Sequence, residues 1–322
     1  MKEKPVLTVI GPVYNEEDSL PLFHERLVRA LRGLNLPFEI IYVNDGSHDG
    51  SAEYLQRIAE PESAVKVIHF SRNFGHQIAI TAGMDHASGQ ACVIMDTDGQ
   101  DPPELIGEMV EAWRKGFEVV YAVRSKRQGE GLFKRATAAI FYRLMRRLTQ
   151  VDIPLDAGDF RLLDRKVLHV MQRLRETHRF MRGLTAWVGF RQTAIEYIRQ
   201  PRLGGTTHYP FFKMASFAMD GITSFSCKPL RWVTFCGLSA CALSVLVGFW
   251  VLYVKYFDLE AVRGWTSMMG VVLLLGGIQL IAIGIIGEYV GRIFDEVKLR
   301  PLYIVREFSG LAPDSGEIGR KS

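Results

Sequence analysis

Two long uncharged segments near the end of the chain constrain its fold more than any other feature. Residues 232–254 and 264–287 contain no Asp, Glu, Lys or Arg. As a helix, each run is long enough to cross a hydrocarbon core of about 30 Å. Burial in the core of a soluble protein is the alternative interpretation. Because the two runs are adjacent, we predict two transmembrane helices joined by a short loop at 255–263.

Charged residues around these runs predict an orientation. Lys228 and Arg231 precede the first run, and three basic residues lie between 292 and 300. The loop has two basic and two acidic residues, so the positive-inside rule predicts that both flanks are cytoplasmic. Residues 1–13 lack the pattern of a signal peptide. We therefore expect a cytoplasmic domain at 1–228, two transmembrane helices at 229–291 and a cytoplasmic tail at 292–322.

The second uncharged run carries a stripe of glycines. Gly277, Gly284 and Gly291 recur every seven residues, and Gly287 with Gly291 forms a G-x-x-x-G pattern. Small residues on one face allow helices to approach closely in lipid. The stripe could pack against the first run or against a second copy of the chain, so a homo-oligomer is one expectation.

The first 120 residues read as an α/β domain. Apolar, β-branched runs at 7–12, 38–43, 65–70 and 91–95 alternate with helical patterns at 19–34 and 77–87. This alternation predicts a mostly parallel sheet flanked by helices. Polar residues follow the strands, and ligands of such sheets bind at the carboxyl ends of strands. The glycine-rich dinucleotide and P-loop motifs are absent from the sequence.

Two carboxylates follow the fourth predicted strand. Asp96 and Asp98 are two residues apart, which places them on the same side of an extended segment. Such a pair can hold Mg²⁺ or Mn²⁺ on a diphosphate. From the spacing alone, a solvated acidic turn is an equal alternative. Asp101 and Glu104 flank two prolines, which predicts a turn and the start of the next helix.

The middle of the chain is strongly basic. Residues 1–120 have 10 basic and 19 acidic side chains, whereas residues 121–231 have 21 and 8. A basic amphipathic pattern at 133–147 and a second amphipathic segment at 211–225 predict helices on a membrane surface. Nucleic acid is the other anionic partner that such charge allows. The adjacent apolar runs favour the lipid bilayer, so we expect no nucleic acid.

Five segments of the sequence carry a family resemblance. In order, VIGPVYNEEDSL, IIYVNDGSHDGS, FSRNFGHQIAITAGMDHASG, MDTDGQDPPE and GDFRLLDRKV resemble family 2 glycosyltransferases with the GT-A fold. The two apolar runs and the tail GEYVGRIFDEVKLRPLYIV resemble bacterial polyprenyl-phosphate glycosyltransferases. Within these they are similar to the bactoprenol glucosyltransferase group, related to dolichyl-phosphate mannose synthase. The resemblance covers about residues 5–306.

The resemblance implies a reaction and a location. It implies a GT-A type sheet and transfer of one sugar from a UDP-sugar to undecaprenyl phosphate, with inversion to a β-linked product. It also implies a multi-pass protein of the bacterial inner membrane whose catalytic domain faces the cytoplasm. We expect glucose. The alternatives are 4-amino- or formamido-arabinose, N-acetylhexosamine, or mannose from GDP-mannose.

A non-catalytic membrane scaffold or flippase accessory is the alternative of another class. Intact Asp96, Asp98 and Asp159 disfavour it. A processive synthase would carry Gln-x-x-Arg-Trp near the membrane, whereas this chain has Lys228 in the Gln position.

The resemblance also implies roles for individual residues. The catalytic residues would be Asp98, Asp159 and Arg161, with Asp159 as base or as an aligning group. We favour alignment, because a phosphate monoester with a second pKa of about 6 is largely dianionic at neutral pH. The remaining assignments are the nucleotide site, Pro12, Tyr14, Glu16, Val43, Asp45 and Asp96; the Mg²⁺ or Mn²⁺ site, Asp96, Asp98 and Gln100; and the acceptor-phosphate site, Arg124, Lys126, Lys134, Arg135 and Arg202.

Two positions depart from the family pattern. Relatives often have Leu where this chain has Gly99, and Lys where it has His208. Gly99 supplies no side chain, so we expect a poorly packed loop that Gly99→Leu would stiffen. A mostly neutral His208 would supply less positive charge to a phosphate than Lys does.

Overall fold

A mixed sheet of eight strands organises the computed structural model, which describes residues 4–60, 64–124, 157–198, 228–257 and 264–310. The order across the sheet is β7-β5-β6-β4-β1-β2-β3-β8. Strands β6 and β8 are antiparallel to their neighbours, and the remaining pairs are parallel. The strands are β1 (Leu7–Val13), β2 (Phe38–Asn44), β3 (Val65–Phe70), β4 (Ala91–Ile94), β5 (Val119–Arg124), β6 (Ala157–Asp164), β7 (Gln192–Tyr197) and β8 (Val305–Ser309).

Helices cover both faces of this sheet. They are α1 (Leu20–Gly33), α2 (Ser51–Ala59), α3 (His76–His86), α4 (Ile106–Arg114), α5 (Arg165–Arg173), α6 (Met181–Trp187), α7 (Lys228–Phe257) and α8 (Trp265–Val297), with a 3-10 turn at Pro103–Leu105 before α4. The predicted α/β sheet with flanking helices is confirmed. The predicted surface helices at 133–147 and 211–225 lie outside the described residues.

Alternating apolar residues divide the core into two layers. In β1, Leu7 and Val9 belong to the layer beneath α1, α2 and α4, whereas Ile10 belongs to the layer beneath α3, α5 and α6. Successive strand residues point to opposite faces, so a strand buried on both sides reads as a continuous apolar run. This explains why β1 to β4 could be found from the sequence.

The strand order indicates where a ligand-binding crevice can form. Strand β1 pairs with β2 on one side and with β4 on the other, so the chain direction across the sheet reverses there. A crevice forms outside the carboxyl ends of the strands at such a switch point. The loops after β1 and β4 border this crevice. The second carries Asp96 and Asp98.

Helices α7 and α8 carry the two apolar runs, but the structure supports only one spanning segment. Among the described residues, Leu274–Val297 is long and apolar enough to cross a membrane, and its side chains are not buried within the protein. In α7, the described residues include a shorter apolar stretch, Val233–Leu246. The prediction of two transmembrane helices is therefore not confirmed.

The segment after α8 returns to the catalytic sheet. Strand β8 pairs with β3, and Tyr303 stacks on Phe70 with ring centroids 5.2 Å apart. The Tyr303 hydroxyl donates to Asp85 Oδ2 over 2.9 Å, and Arg175 Nη1 donates to the same oxygen over 2.8 Å. The predicted tail at 292–322 thus contributes an edge strand to the first domain. The domain boundaries themselves stay a prediction.

A buried carboxylate connects the amino ends of β1, β2 and β3, at the end of the sheet opposite the crevice. Glu39 of β2 accepts hydrogen bonds from Thr8 Oγ1 (2.6 Å), the Ser88 amide (2.7 Å) and Lys66 Nζ (2.6 Å). Burial alone would raise the pKa of Glu39, but these hydrogen bonds outweigh it, so the pKa lies below its ordinary value. Glu39 therefore joins three strands and the loop before β4.

Replacing Glu39 with Ala should lower the free energy of unfolding by about 2–4 kcal/mol, because the donors of Thr8, Ser88 and Lys66 lose a buried acceptor. Thermal and urea unfolding of the detergent-solubilised chain would measure this. The exposed Glu53 of α2 provides a matched control, and Glu53→Ala should cause little change. Since the folded pKa of Glu39 is lowered, its contribution is present at neutral pH. It is lost as the pH falls through that pKa. Equal stability of the two variants at pH 7 would contradict this role.

Candidate active site

The loop after β4 is fixed to β1 through Thr97. The Thr97 hydroxyl donates to the Pro12 carbonyl over 2.9 Å, and the Thr97 carbonyl accepts from Ser19 Oγ over 3.2 Å. Thr97 is buried, so this small side chain anchors both neighbouring aspartates at the switch point. The Asp98 side chain turns back and accepts from the Gln100 amide over 3.0 Å.

Gly99 makes that turn possible. Its φ is +77°, in the left-handed region that side chains other than glycine rarely adopt. Leu at this position would strain the backbone instead of stiffening the loop. The expectation that Gly99→Leu would tighten the site is therefore wrong, because it considered packing and not the backbone angle.

Asp159 lies on the same edge, at the beginning of β6. Its carboxylate is 7% exposed and is held by three side chains from other elements. Arg182 Nε of α6 donates to Oδ1 over 3.1 Å, and Gln77 Nε2 of α3 donates to Oδ2 over 3.0 Å. His76 Nε2 lies 3.5 Å from Oδ2 and 3.4 Å from Asp96 Oδ1. His76 thereby bridges the loop after β4 and the beginning of β6.

The charges of this cluster are strongly coupled. Burial would raise the pKa of Asp159, but the hydrogen bond from His76 and the charges of Arg182 and Arg161 hold it far below its ordinary range. Burial also acts to raise the pKa of Asp96, and there it outweighs the other contributions. Together with nearby carboxylates it raises the pKa of Asp96 to about 7. Asp159 is therefore an anion at neutral pH, whereas Asp96 is only partly ionised there, and a cation beside it would favour its anionic form.

Arg161 is buried next to this cluster and connects its elements by hydrogen bonds. It is 3% exposed, and its guanidinium donates to the carbonyls of Gly158 (2.8 Å) and Met181 (3.4 Å) and to the Thr185 hydroxyl. Its Nη2 is 4.0 Å from Asp159 Oδ1. Arg161 thus connects β6 to α6. Its catalytic role, which the resemblance implied, stays a prediction.

A second group of polar residues lies beside the first. The Tyr197 hydroxyl of β7 donates to Asp101 Oδ1 over 2.6 Å, and Arg124 Nε donates to that hydroxyl over 3.4 Å. Arg124 also borders β6, because a Cβ built on Gly158 would come 3.4 Å from its Nη2. Asp101, which we expected only to shape a turn, therefore ties the loop after β4 to the ends of β5 and β7.

Comparison with known proteins identifies the family. The profile of glycosyl transferase family 2 matches residues 8–171, which include β1 to β6 and both clusters' aspartates. An uncharacterized glycosyltransferase of Bacillus subtilis, YkcC, is 52% identical over 304 residues, covering 94% of this chain and 94% of that protein. This chain belongs to glycosyl transferase family 2.

A second profile and two further relatives show that the similarity extends to the C-terminal helices. The profile of the GtrB C-terminal hairpin matches residues 228–293. The SfII prophage-derived bactoprenol glucosyl transferase of Shigella flexneri is 40% identical over 303 residues, covering 94% of this chain and 97% of that protein. A prophage bactoprenol glucosyl transferase homolog of Escherichia coli is 39% identical, covering 93% of this chain and 98% of that protein.

The residues predicted to hold a nucleotide in this family 2 chain surround the loop after β1. Tyr14 is 45% exposed there, and Glu16 accepts a hydrogen bond from Ser19. Val43 is fully buried in the core, which leaves only its backbone for a ligand. Asp45 accepts from the amides of Phe74 and Gly75, so it also holds the loop before α3. Their roles in nucleotide binding stay predictions.

The structure describes only part of the predicted acceptor site. Arg124 lies at the end of β5 beside Gly158. Lys126, Lys134, Arg135, Arg202 and the departure at His208 lie outside the described residues. Their role in binding a phosphate therefore stays a prediction.

Sequence reasoning missed His76, Gln77 and Arg182, the three side chains that hold Asp159. His76 and Gln77 lie within a segment that carried the family resemblance, so the first turn of α3 was the available signal. Arg182 lies in the basic part of the chain, but nothing in its spacing distinguishes it from its neighbours.

Replacing Gly99 with Leu or Ala should lower the free energy of unfolding by about 1–2 kcal/mol, because a Cβ is strained at this φ. Thermal unfolding of the purified chain would measure the loss. Gly107 lies within α4, where Ala is favoured over Gly, so Gly107→Ala should leave stability unchanged or raise it. A higher melting temperature for Gly99→Leu would overturn the backbone explanation.

Proposed function

We propose that this chain transfers glucose from UDP-glucose to a polyprenyl phosphate. The observation that carries the proposal is the 40% identity to a bactoprenol glucosyl transferase over 94% of the chain. The identity spans both the sheet and the hairpin. The carboxylates that cluster at the switch point agree with a site for a divalent cation, which would bridge them to a polyanionic donor.

A divalent cation is part of this proposal. Asp96 Oδ1 is shielded from solvent and, although His76 Nε2 lies 3.4 Å away, it accepts no hydrogen bond from the described residues. Within those residues, no three His, Cys, Asp or Glu side chains form a metal site by themselves. The oxygens of Asp96, Asp98 and Gln100, completed by the donor diphosphate, suit Mg²⁺ or Mn²⁺. Such an ion would neutralise charge on the departing UDP.

The proposed reaction is a single displacement at the anomeric carbon of glucose. An oxygen of the acceptor phosphate attacks the anomeric carbon of glucose as the bond to the UDP oxygen breaks. The electron pair leaves with UDP. The dianionic phosphate has no proton to lose, so the ionised Asp159 serves to align groups. Attack opposite the leaving group inverts the anomeric centre and gives a β-linked product.

The proposal includes a place for the reaction. Exposed apolar side chains line α7 and α8, among them Phe235, Leu246, Leu274 and Ile293. Apolar surface of this extent favours lipid as its surroundings. A hairpin of α7 and α8 would hold the sheet at the cytoplasmic leaflet of the bacterial inner membrane. There the phosphate of undecaprenyl phosphate can reach the switch point.

Radiolabelled UDP-glucose and undecaprenyl phosphate, incubated with the purified chain, should give a lipid-linked label. UDP-N-acetylglucosamine, UDP-4-amino-arabinose and GDP-mannose serve as competing donors, because the specific sugar rests on relatives alone. Asp159→Asn should reduce kcat by about 100-fold or more, since the partners of the carboxylate lose their charge match. No lipid-linked label from any donor would overturn the transferase proposal.

Chelation tests the cation separately. EDTA should abolish transfer, and added Mn²⁺ or Mg²⁺ should restore it. Asp98→Ala should shift the half-activating metal concentration upward by about tenfold or more, because one of few anionic ligands is lost. Isothermal titration of Mn²⁺ in the presence of UDP gives a second readout that does not depend on turnover. Full activity in EDTA would exclude a role for the metal.

A further inference from the structure

Arg182 occupies a position that neither family profile covers. It lies in α6, beyond the profile match that ends at residue 171 and before the one that begins at 228. Its Nε donates to Asp159 Oδ1 over 3.1 Å, and its side chain is 41% exposed. Among the described residues, neither Nη atom of Arg182 has a hydrogen-bond partner. The guanidinium is therefore held at one end and open at the other.

The surroundings of Arg182 fix its direction. Arg161 fastens α6 to β6 through the Met181 carbonyl and the Thr185 hydroxyl, on either side of Arg182. Gln77 Oε1 accepts from the Met181 amide over 2.9 Å. These bonds immobilise the first turn of α6. Arg182 consequently presents its donors to the crevice without needing to be ordered by a ligand.

Charge favours an anion at this position. Asp159 would repel a dianionic phosphate unless a cation lies between them. Arg182 touches the carboxylate and still carries unused donors, and Arg124 borders the preceding residue, Gly158. A planar guanidinium with two free N–H groups matches a phosphate better than an ammonium does.

We propose that Arg182, oriented by Asp159, binds the phosphate group of the lipid acceptor together with Arg124. This inference rests on the proposed function and adds a residue to it. Arg182 contacts the phosphate directly, and Asp159 is the positioning residue that aims it. The phosphate oxygen that stays free of both arginines attacks the sugar. No proton is transferred to Asp159 in this step.

Steady-state kinetics with the full chain in detergent tests the assignment. Arg182→Gln should raise KM for undecaprenyl phosphate by about 10- to 100-fold, the loss expected for charge-assisted hydrogen bonds. KM for UDP-glucose should change less than twofold. Arg182→Lys keeps the positive charge but loses the planar pair of N–H donors. Its KM for the acceptor should therefore rise by a smaller factor, about 3- to 10-fold.

Arg173→Gln is the matched control. Arg173 is exposed at the end of α5 and belongs to the same basic region, so the variant removes an equal charge away from the site. It should leave both KM values unchanged. Inorganic phosphate and farnesyl phosphate should inhibit the wild type competitively against the acceptor. Their inhibition constants should rise in Arg182→Gln by a factor similar to that for the acceptor KM.

The outcomes separate a binding role from a structural one. If Arg182 only stabilised Asp159, Arg182→Gln would lower kcat and leave the acceptor KM and both inhibition constants unchanged, which would overturn the proposal. A change in KM for UDP-glucose alone would also overturn it. If Arg182→Gln does not fold, as judged by UDP binding and thermal unfolding, Arg182→Lys must show the acceptor-specific rise.

Failure of the proposed function gives a different result. In that case the wild type would form no labelled polyprenyl-linked sugar at all. Failure of this inference leaves the wild type active and the acceptor KM of Arg182→Gln equal to that of the wild type.

Discussion

The hydrogen bonds and charges around the Asp159 carboxylate are the interaction on which the site depends. A buried carboxylate is unfavourable unless cations or donors replace its lost water. Here the replacements come from α3 and α6, which lie on the same face of the sheet. The position of Asp159 therefore requires both helices to be in place. In return, the anion orients His76 and Arg182 toward the crevice.

The sheet topology brings this carboxylate to the loop after β4. Strand β6 is inserted antiparallel between β4 and β5, so it begins at the edge where its neighbours end. Asp159, near its first residue, thereby meets Asp96, near the last residue of β4. A parallel strand at this place would present its carboxyl end and a different residue. The two carboxylates lie far apart in sequence, and one reversed strand makes them neighbours.

The sequence predicted the parts of this arrangement that repeat or cluster locally. Strands β1 to β4 were found because each is a continuous apolar run, and Asp96 and Asp98 were found because they follow such a run. Strand β6 was not predicted, since its neighbours are distant and its residues alternate less clearly. His76, Gln77 and Arg182 were missed for a related reason. Their significance comes from contact with a residue more than 20 positions away, which no local pattern records.

Gly99 shows a different limit of sequence reasoning. A missing side chain suggested poor packing, whereas the backbone angle at this residue favours glycine. The residue type alone does not distinguish poor packing from a left-handed backbone angle. It depends on how the Asp98 carboxylate turns back to the Gln100 amide. Loops that bind ligands commonly contain such positions, because a side chain and a backbone amide must face the same small space.

Contacts at the end of α8 connect the hairpin to the segment that precedes α6. At the end of α8, Glu296 accepts from the Thr177 amide over 3.0 Å, and Asp295 lies 3.5 Å from His178. These contacts fall on the short segment that leads directly into α6 and Arg182. The end of α8 is thus fastened to the chain a few residues before Arg182. Because α6 is also fixed by Arg161, tilting α8 must either break these contacts or move the whole unit of α6 and β6. In the proposed membrane location, the depth of the hairpin and the position of Arg182 would therefore not be independent.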